Sequence, residues 1–526
     1  MPANTGHTKS KPRPAKKAVA GAVKNTALDE EKRIFRELQK GLYHQFHAAF
    51  PDRLAPKTVL IIPSFTLDQE ILSKVEGIVH YEERLLCLLM LLRMPRTQVI
   101  YITSVPIDPV IIDYYLHLLP GITGYHALKR LSLISCYDSS SKSLTEKILE
   151  RPRLMEKIKS IIPAHHATHM ACFNVTAYER TLAVKLGMPI FGCDPDLFDL
   201  GSKSNGRKIF RACGLLVPPG FEDLHSKEEV LNSLYKLKKE NPELRKAVVK
   251  MNDGFSGEGN AIFNYKNINE QALKQSIRDE FEKRMSVVAA GLKLDTFMEK
   301  FQEMGGIVEA FVDGEPKESP SVQCRITPTG VCEVVSTHDQ LLGGESGQVF
   351  IGAKFPANPE YSIEIGKMGM LVAKEMKKRG VLGRFAIDFL SVPLNGGWKN
   401  YAIEINLRKG GTTHPFLMLQ FLTDGKYHDG EGCYLNASGQ RRYYFASDNL
   451  RNPKYVGLTP PDLIDIMMLN ELHYDGSAQE GTMFHLIGAL SQFGKLGVVC
   501  IGSTPERAKF FYEETVRVLD RETAGE

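Results

Sequence analysis

Four side chains in the string GRFAIDFLSVPLNGGWKNYAIEINLRKGG, Asp388, Glu404, Asn406 and Arg408, bring together two carboxylates, an amide oxygen and a guanidinium. Hard oxygen donors suit Mg2+, which takes a few ligands from protein and fills the rest of its shell with water and phosphate oxygens. A guanidinium beside them would face phosphate charge. The chemistry implied is that of a magnesium-nucleotide site. Glu404, Asn406 and Arg408 are spaced by two, which puts them on one face of a strand with Ile403 and Ile405 on the other. FAIDFL and YAIEIN read as antiparallel neighbours joined by the turn-rich LNGGW, so Asp388 would stand beside the other three. A solvated strand face explains any one of these residues but not the whole set.

A second string, AVVKMNDGFSGEGNAI, supplies a strand carrying Lys250 that runs into a turn with Gly254, Gly257 and Gly259 and returns as another strand. Glycines let backbone N–H groups approach a phosphate chain closely, and the lysine can neutralise part of its charge. A plain hairpin gives the same letters. No GxxxxGK[ST] occurs, which excludes a P-loop. Farther on, Glu309 ends a short strand, and the extended backbone from Ala310 to Val312 could pair with an adenine edge. Arg325, Arg384 and the run Lys409, Gly410, Gly411 are candidates for holding a substrate carboxylate, because guanidinium groups grip it in bidentate fashion. His338 and Asp339 fall in an expected loop. His485 falls in an expected apolar helix, where a lone histidine reads as core.

These residues need elements to hold them. From about Lys57, β-branched runs (TVLIIPS, QVIYITS, PIFGCD) alternate with helical stretches (EERLLCLLMLLRM, AYERTLAVKLG), the pattern of a parallel sheet covered by helices. Loops with Ser64, Ser104 and Asp194 follow the strands, where open sheets tend to bind ligands. No GxGxxG is present, so a dinucleotide is not expected; this part either helps hold substrate or is a structural partner.

At 526 residues with 43% hydrophobic and 24% charged composition, the chain is globular and too long for one core. Net charge is +4, and six basic residues without an acid (Lys9, Lys11, Arg13, Lys16, Lys17, Lys24) sit in the first 24. The nearly neutral remainder excludes nucleic-acid binding as the main function. The basic, Pro- and Ala-rich start reads as disordered, and resembles neither a signal nor a transit peptide. Nine scattered cysteines without a CxxC indicate neither zinc nor disulfides. The longest apolar run, Leu85 to Leu92, has eight residues, far short of the roughly 20 of a membrane span. Cytoplasmic residence is the default.

The order of parts resembles the ATP-grasp superfamily, in which two α+β lobes close on Mg-ATP. The likeness implies Lys203, in GSKSNGRKIFRACGLLVPPG, as a first ATP lysine and Lys250 as the strand lysine. It further implies a lid at Asp253 to Gly259 in which Ser256, Gly257 and Gly259 contact nucleotide, and an adenine hinge at Glu309, Ala310, Phe311 and Val312. Asp388, Glu404 and Asn406 would then be metal ligands, with Arg408 and Lys250 catalytic. STHDQLLGGESGQVFIGAKFPA and GTMFHLIGALSQFGKLGVVCIGSTPERA are similar to peptide ligases of the pheganomycin-biosynthesis type, over roughly residues 57 to 520. The fold class implied is α/β and α+β multidomain: a basic tail (1–28), a Rossmann-like pre-ATP-grasp domain (29–200), a two-lobed ATP-grasp core (201–430) and a C-terminal peptide-ligase-type segment (431–526). The activity implied is ATP-dependent joining of a small-molecule carboxylate to an amine or peptide through an acyl phosphate, with ATP and Mg2+ (or Mn2+) as cofactors and no membrane partner. Homo-oligomerisation stays open, as do a scaffold without turnover, a kinase and a thioester-forming ligase on the same frame.

Overall fold

The computed structural model describes residues 16–66, 76–254, 259–289, 291–343, 349–394, 396–524. Three sheets organise the chain. The first is parallel, in the spatial order Leu131–Ser135, Thr97–Thr103, Lys57–Ile62, Ala167–Cys172. Alternation along its strands feeds two cores. Leu60, Ile62, Ile100 and Ile102 pack on one face with Phe35 of the long helix Lys16–Ala48, while Val59, Ile61, Val99 and Tyr101 join the core shared with the rest of the molecule. TVLIIPS and QVIYITS are strands as expected. PIFGCD is not: only Ile190 bridges to Met170, because Leu131–Ser135 and Ala167–Cys172 complete the sheet instead. The helical stretch over the longest apolar run spans Ile78–Arg93, wound mostly as 3-10 helix and buried from Leu85 to Met90. Of the basic start expected to be disordered, residues 16 onward are helical.

A five-stranded antiparallel sheet runs Gly220–Leu224, Gly306–Ala310, Lys246–Met251, Asn260–Asn264, Met285–Val287. It has a separate core in which Val230, Leu234 and Leu237 of helix Lys227–Glu240 and Phe297 and Phe301 of helix Leu294–Met304 cover Val249, Phe263 and Val308. An eight-stranded antiparallel sheet runs Gly397–Asn406, Gly383–Leu394, Pro320–Ile326, Cys332–Gly343, Val349–Phe355, Tyr443–Arg451, Lys495–Gly502, Gly481–His485. Helix Pro359–Lys378 packs on it through Ile365, Val372 and Ala373. His338 and Asp339 belong to a strand of this sheet and His485 to another, so neither the expected loop nor the expected helix forms there. All nine cysteines are unpaired. No described helix is long and apolar enough to cross a membrane.

The two antiparallel sheets meet through helix Lys203–Ala212, whose Gly206 lies against Ile405 of the large sheet. Ile405 is 2% exposed, and this contact fixes the helix start relative to the adjacent Glu404. Ile405→Ala is therefore expected to lower the free energy of unfolding by roughly 2–5 kcal/mol, read as a lower denaturant midpoint. Loss of the Lys203–Glu404 pair should accompany it, seen as weaker nucleotide binding.

Candidate active site

FAIDFL and YAIEIN do form neighbouring strands, Gly383–Leu394 and Gly397–Asn406, in antiparallel register with Asp388 opposite Glu404 and Ala386 opposite Asn406. The register slips between Asp388 and Phe389, which pair with Glu404 and Ala402, so Ile403 is an extra residue. Such a bulge re-aims side chains beside a site. Its effect corrects the simple alternation: Ile405 is buried as expected, but Ile403 lines the same cleft as Glu404, Asn406 and Arg408.

That cleft, about 720 Å3, also takes in Lys203, Lys250, Gly254, Gly259, Glu309, Ala310 and Val312. Ser256 and Gly257 lie outside the described residues. Asp388 accepts from Gln340 Nε2 (2.8 Å) and Asn406 Nδ2 (2.9 Å), which turns the Asn406 oxygen away from that carboxylate. Burial, then the facing Glu404, push the Asp388 carboxyl up to about 6, against Ser321, Arg408 and Gln340. Burial pushes Glu404 up too, but Lys203, Arg408 and Lys250 outweigh it and hold its pKa below the usual glutamate value. Lys203 Nζ is 3.1 Å from Glu404 Oε1. Arg408 has no side-chain hydrogen bond or ion pair among the described residues, so its charge remains available to a ligand.

Lys203 is positioned by its helix start. Ser202 accepts from Asn205 N, while Asn252, between Lys250 and Gly254, accepts from Lys203 N (3.1 Å) and, through Oδ1, from Ser204 N (3.0 Å). Both bonds to Asn252 tie the helix start to the residue just ahead of Asp253 and Gly254. The ends of that turn close on each other: a Cβ on Gly254 would stand 3.3 Å from the Gly259 Cα and 3.8 Å from Lys203 Nζ. Lys250 Nζ binds Glu309 Oε1 at 2.6 Å, and Arg207 Nη1 binds Glu309 Oε2 at 2.7 Å. Glu309, 3% exposed, is therefore an anchor for Lys250 rather than an open acceptor. Arg207, which the sequence reading missed, follows Lys203 by four and so shares its helix face, a spacing that could have exposed it.

At the hinge the Ala310 N–H donates to Pro219 O (2.7 Å) and the Phe311 N–H to Lys246 O (3.1 Å). Two of the three expected adenine donors are thus already spent, whereas the Val312 N–H has no acceptor among the described residues. Val248 and Ile262 give this end of the cleft apolar walls. Gly410 and Gly411 line the cleft; a Cβ on Gly411 would meet Phe350 at 2.4 Å, so the backbone can pass there only as glycine. Lys409 also lines it, its ammonium donating to the Cys172 carbonyl, and burial lowers its pKa to about 8. Arg325 is committed to Glu333 at 2.5 Å and lies outside the cleft lining. Arg384, opposite Arg325 in register, does not reach the lining either; its Nη1 is buried without a partner, and burial lowers its pKa to about 9. Of the residues expected to contact substrate, Lys409, Gly410 and Gly411 line the cleft, while Arg325 and Arg384 do not.

No cluster of three or more His, Cys, Asp or Glu side chains occurs among the described residues. The two carboxylates and one amide suit a cation that takes the rest of its shell from phosphate and water. Two mutually repelling carboxylates, held together and only partly offset by Lys203, are the feature that fits such a cation.

The family model described as IQCH-like, ATP-grasp matches residues 196–290 and 292–428, and that of the PGM1 C-terminal domain matches residues 462–515. By that first match residues 196–428 are similar to an ATP-grasp domain. It is similar to the L-propargylglycine–L-glutamate ligase of Streptantibioticus cattleyicolor, with 27% identity over 474 residues covering 88% of this chain and 93% of the relative. It is also similar to IQ motif-containing protein H of Danio rerio, with 23% identity over 70% of this chain and 39% of that longer protein. Among solved structures, the biotin carboxylase of Campylobacter jejuni shares the fold (13% identity, TM-score 0.53, 90% of this chain and 96% of that one). So does the biotin carboxylase domain of the Hydrogenobacter thermophilus 2-oxoglutarate carboxylase (14%, TM-score 0.52, 87% and 89%).

In metal-free protein, the raised Asp388 pKa means that ionising this group costs stability as pH rises from about 4 to about 6, and the cost is fully present above that. In EDTA the parent should therefore lose more melting temperature between about pH 4 and about pH 6 than Asp388→Asn, which gains no charge there. An equal loss in the two proteins would contradict the raised Asp388 pKa.

Proposed function

We propose that this chain is an ATP-dependent carboxylate-amine ligase that joins an amino-acid-like carboxylate to the amine of an amino acid or peptide. The observation that carries the reading is the convergence of Lys203, Lys250, the ends of the glycine turn, Asp388, Glu404 and Arg408 on one cleft. The ligase from Streptantibioticus cattleyicolor, similar over most of both chains, supports amino acids as the class joined. In this reading residues 29–200 precede an ATP-grasp core at 201–430, and 431–526 form a C-terminal unit. Unpaired cysteines agree with a cytoplasmic setting.

Adenine sits against Val248 and Ile262 with Val312 as its backbone partner, and the triphosphate runs beneath the glycine turn. Lys250, aimed by Glu309, and Lys203 offset phosphate charge. Asp388, Glu404 and Asn406 would hold Mg2+, with Mn2+ as a substitute; when bound, it neutralises phosphate charge and orients the terminal phosphoryl group. A substrate carboxylate oxygen attacks that group, the bond to the β-phosphate oxygen breaks, and ADP leaves. Arg408, unpaired before substrate arrives, balances charge on the group in transit. The amine then attacks the acyl carbon: the C–N bond forms, the C–O bond to phosphate breaks, and phosphate and a proton depart. An acyl phosphate hydrolyses readily, so water must be kept out, which assigns the turn at Asp253–Gly259 the role of lid. Lys409, Gly410 and Gly411 face the substrate end.

Phosphate release from ATP and Mg2+ should require both an acid and an amine. Glu404→Gln should lower it by about 10²–10³-fold, as losing one charged contact in a dry site does, with the melting temperature nearly kept. A phosphorylated acid that accumulates without amide would point to a kinase; ATP binding without release across broad substrate pools would point to a scaffold.

A further inference from the structure

The cleft continues past Arg408 into an arm that the nucleotide reading does not use. Phe65 and Phe173, in the loops after the two adjacent parallel strands Lys57–Ile62 and Ala167–Cys172, stack at 4.4 Å between centroids. Tyr81 stands edge-on to Phe65, and the Arg84 guanidinium lies 4.1 Å from the Tyr81 ring centroid. From the far side of the large sheet come Asp448, Asn449 and Lys495. Arg84 Nη2 binds Asp448 Oδ2 at 2.5 Å, and Lys495 Nζ donates to the Tyr81 hydroxyl at 2.7 Å.

Among the described residues the charges here do not balance. Arg84 and Lys495 are 7% and 8% exposed and meet one described carboxylate, Asp448. Arg84 Nε is buried without a partner among the described residues. Glu83, next in sequence, is turned elsewhere, towards His80 Nδ1 and the Gly488 N–H. The neighbouring His414 and His485 share a hydrogen bond at 2.8 Å and are held neutral by burial, so they neither add nor remove charge. A buried positive excess with an orphan donor is costly unless a ligand completes it. Asp448 lies on the strand four places along the sheet from that of Asp388, so the arm and the carboxylate pair occupy different parts of one cleft.

We infer that this arm binds the amine-bearing substrate by its free α-carboxylate, held by Arg84 and Lys495 against the Phe65–Phe173–Tyr81 wall, so that the acceptor is an amino acid or peptide with an unblocked C-terminal carboxylate. The inference deepens the ligase reading and rests on it for the role of the bound molecule. The wall takes the acceptor's apolar portion. Asp448 keeps Arg84 oriented and discourages a second negative charge.

The test uses the full chain with Mg2+ and a nonhydrolysable ATP analogue, titrated calorimetrically with the proteinogenic L-amino acids and with the α-carboxamide of each one that binds. At least one free amino acid is expected to bind, and its amide to bind about ten-fold or more weakly, the scale of one hydrogen bond to a charged group. Lys495→Gln should erase that preference while leaving affinity for the ATP analogue unchanged. Should Lys495→Gln fold poorly, Asn449→Asp, at an exposed position, adds a negative charge to the arm and should weaken the free acid but not the amide. Equal binding of acid and amide, no binding of any amino acid, or an unchanged preference in a folded variant would overturn the assignment. Binding with the expected preference but without amide formation from ATP would instead sink the ligase reading and leave the carboxylate subsite standing.

Discussion

Two carboxylates facing each other across a pair of strands set the terms for everything around them. Asp388 and Glu404 are directly opposite in register, and Glu404 makes Asp388 harder to ionise. Ordinary packing would separate them or pair both. Here only Glu404 has a cation, Lys203, while Asp388 is held by neutral amides from Gln340 and Asn406. Glu404 is thus offset by Lys203, Arg408 and Lys250 while Asp388 stays hard to ionise, an imbalance that the proposed metal-bound triphosphate would relieve.

That arrangement constrains the smaller sheet as well. The cation for Glu404 comes from a helix whose first N–H groups are tied to Asn252, and Asn252 starts the glycine turn. One helical turn later on the same face, Arg207 joins Lys250 in gripping Glu309. Asn252 thus links the strand of Lys250 to the helix that carries Lys203, and through Lys203 to the charge balance on Glu404.

The sequence was most legible where a site is local. The pairing of residues 383–394 with 397–406 follows from period-two alternation around one short turn, and the Lys250 strand with its glycine turn follows in the same way. Legibility failed at Ile403, because a bulge changes the face of a residue without changing its letter. It failed at PIFGCD, whose β-branched composition suits a strand but which pairs with the edge strand Ala167–Cys172 at Ile190 alone. It failed at Glu309, read as part of an adenine hinge, since the two cations that occupy it come from different elements. Arg325 looked like a substrate ligand until its strand partner brought Glu333 alongside.

The least legible part is the arm beyond Arg408, and the reason is distance along the chain. Arg84 and Asp448 are 364 positions apart, and Tyr81 and Lys495 are 414 apart. No periodicity connects them; only the packing of the parallel sheet's helical cover against the end of the large sheet does. That packing also explains why the parallel sheet, which carries no glycine-rich nucleotide loop, belongs to the site at all. Its strands end in Phe65 and Phe173 at the carboxyl edge where such sheets present ligands, and those rings face a cleft whose nucleotide end is built entirely by the other two sheets. In the proposed reading, chemistry at the phosphoryl end and recognition in the arm belong to different units of the fold, so substrate choice would change through the outer units without disturbing the carboxylate pair.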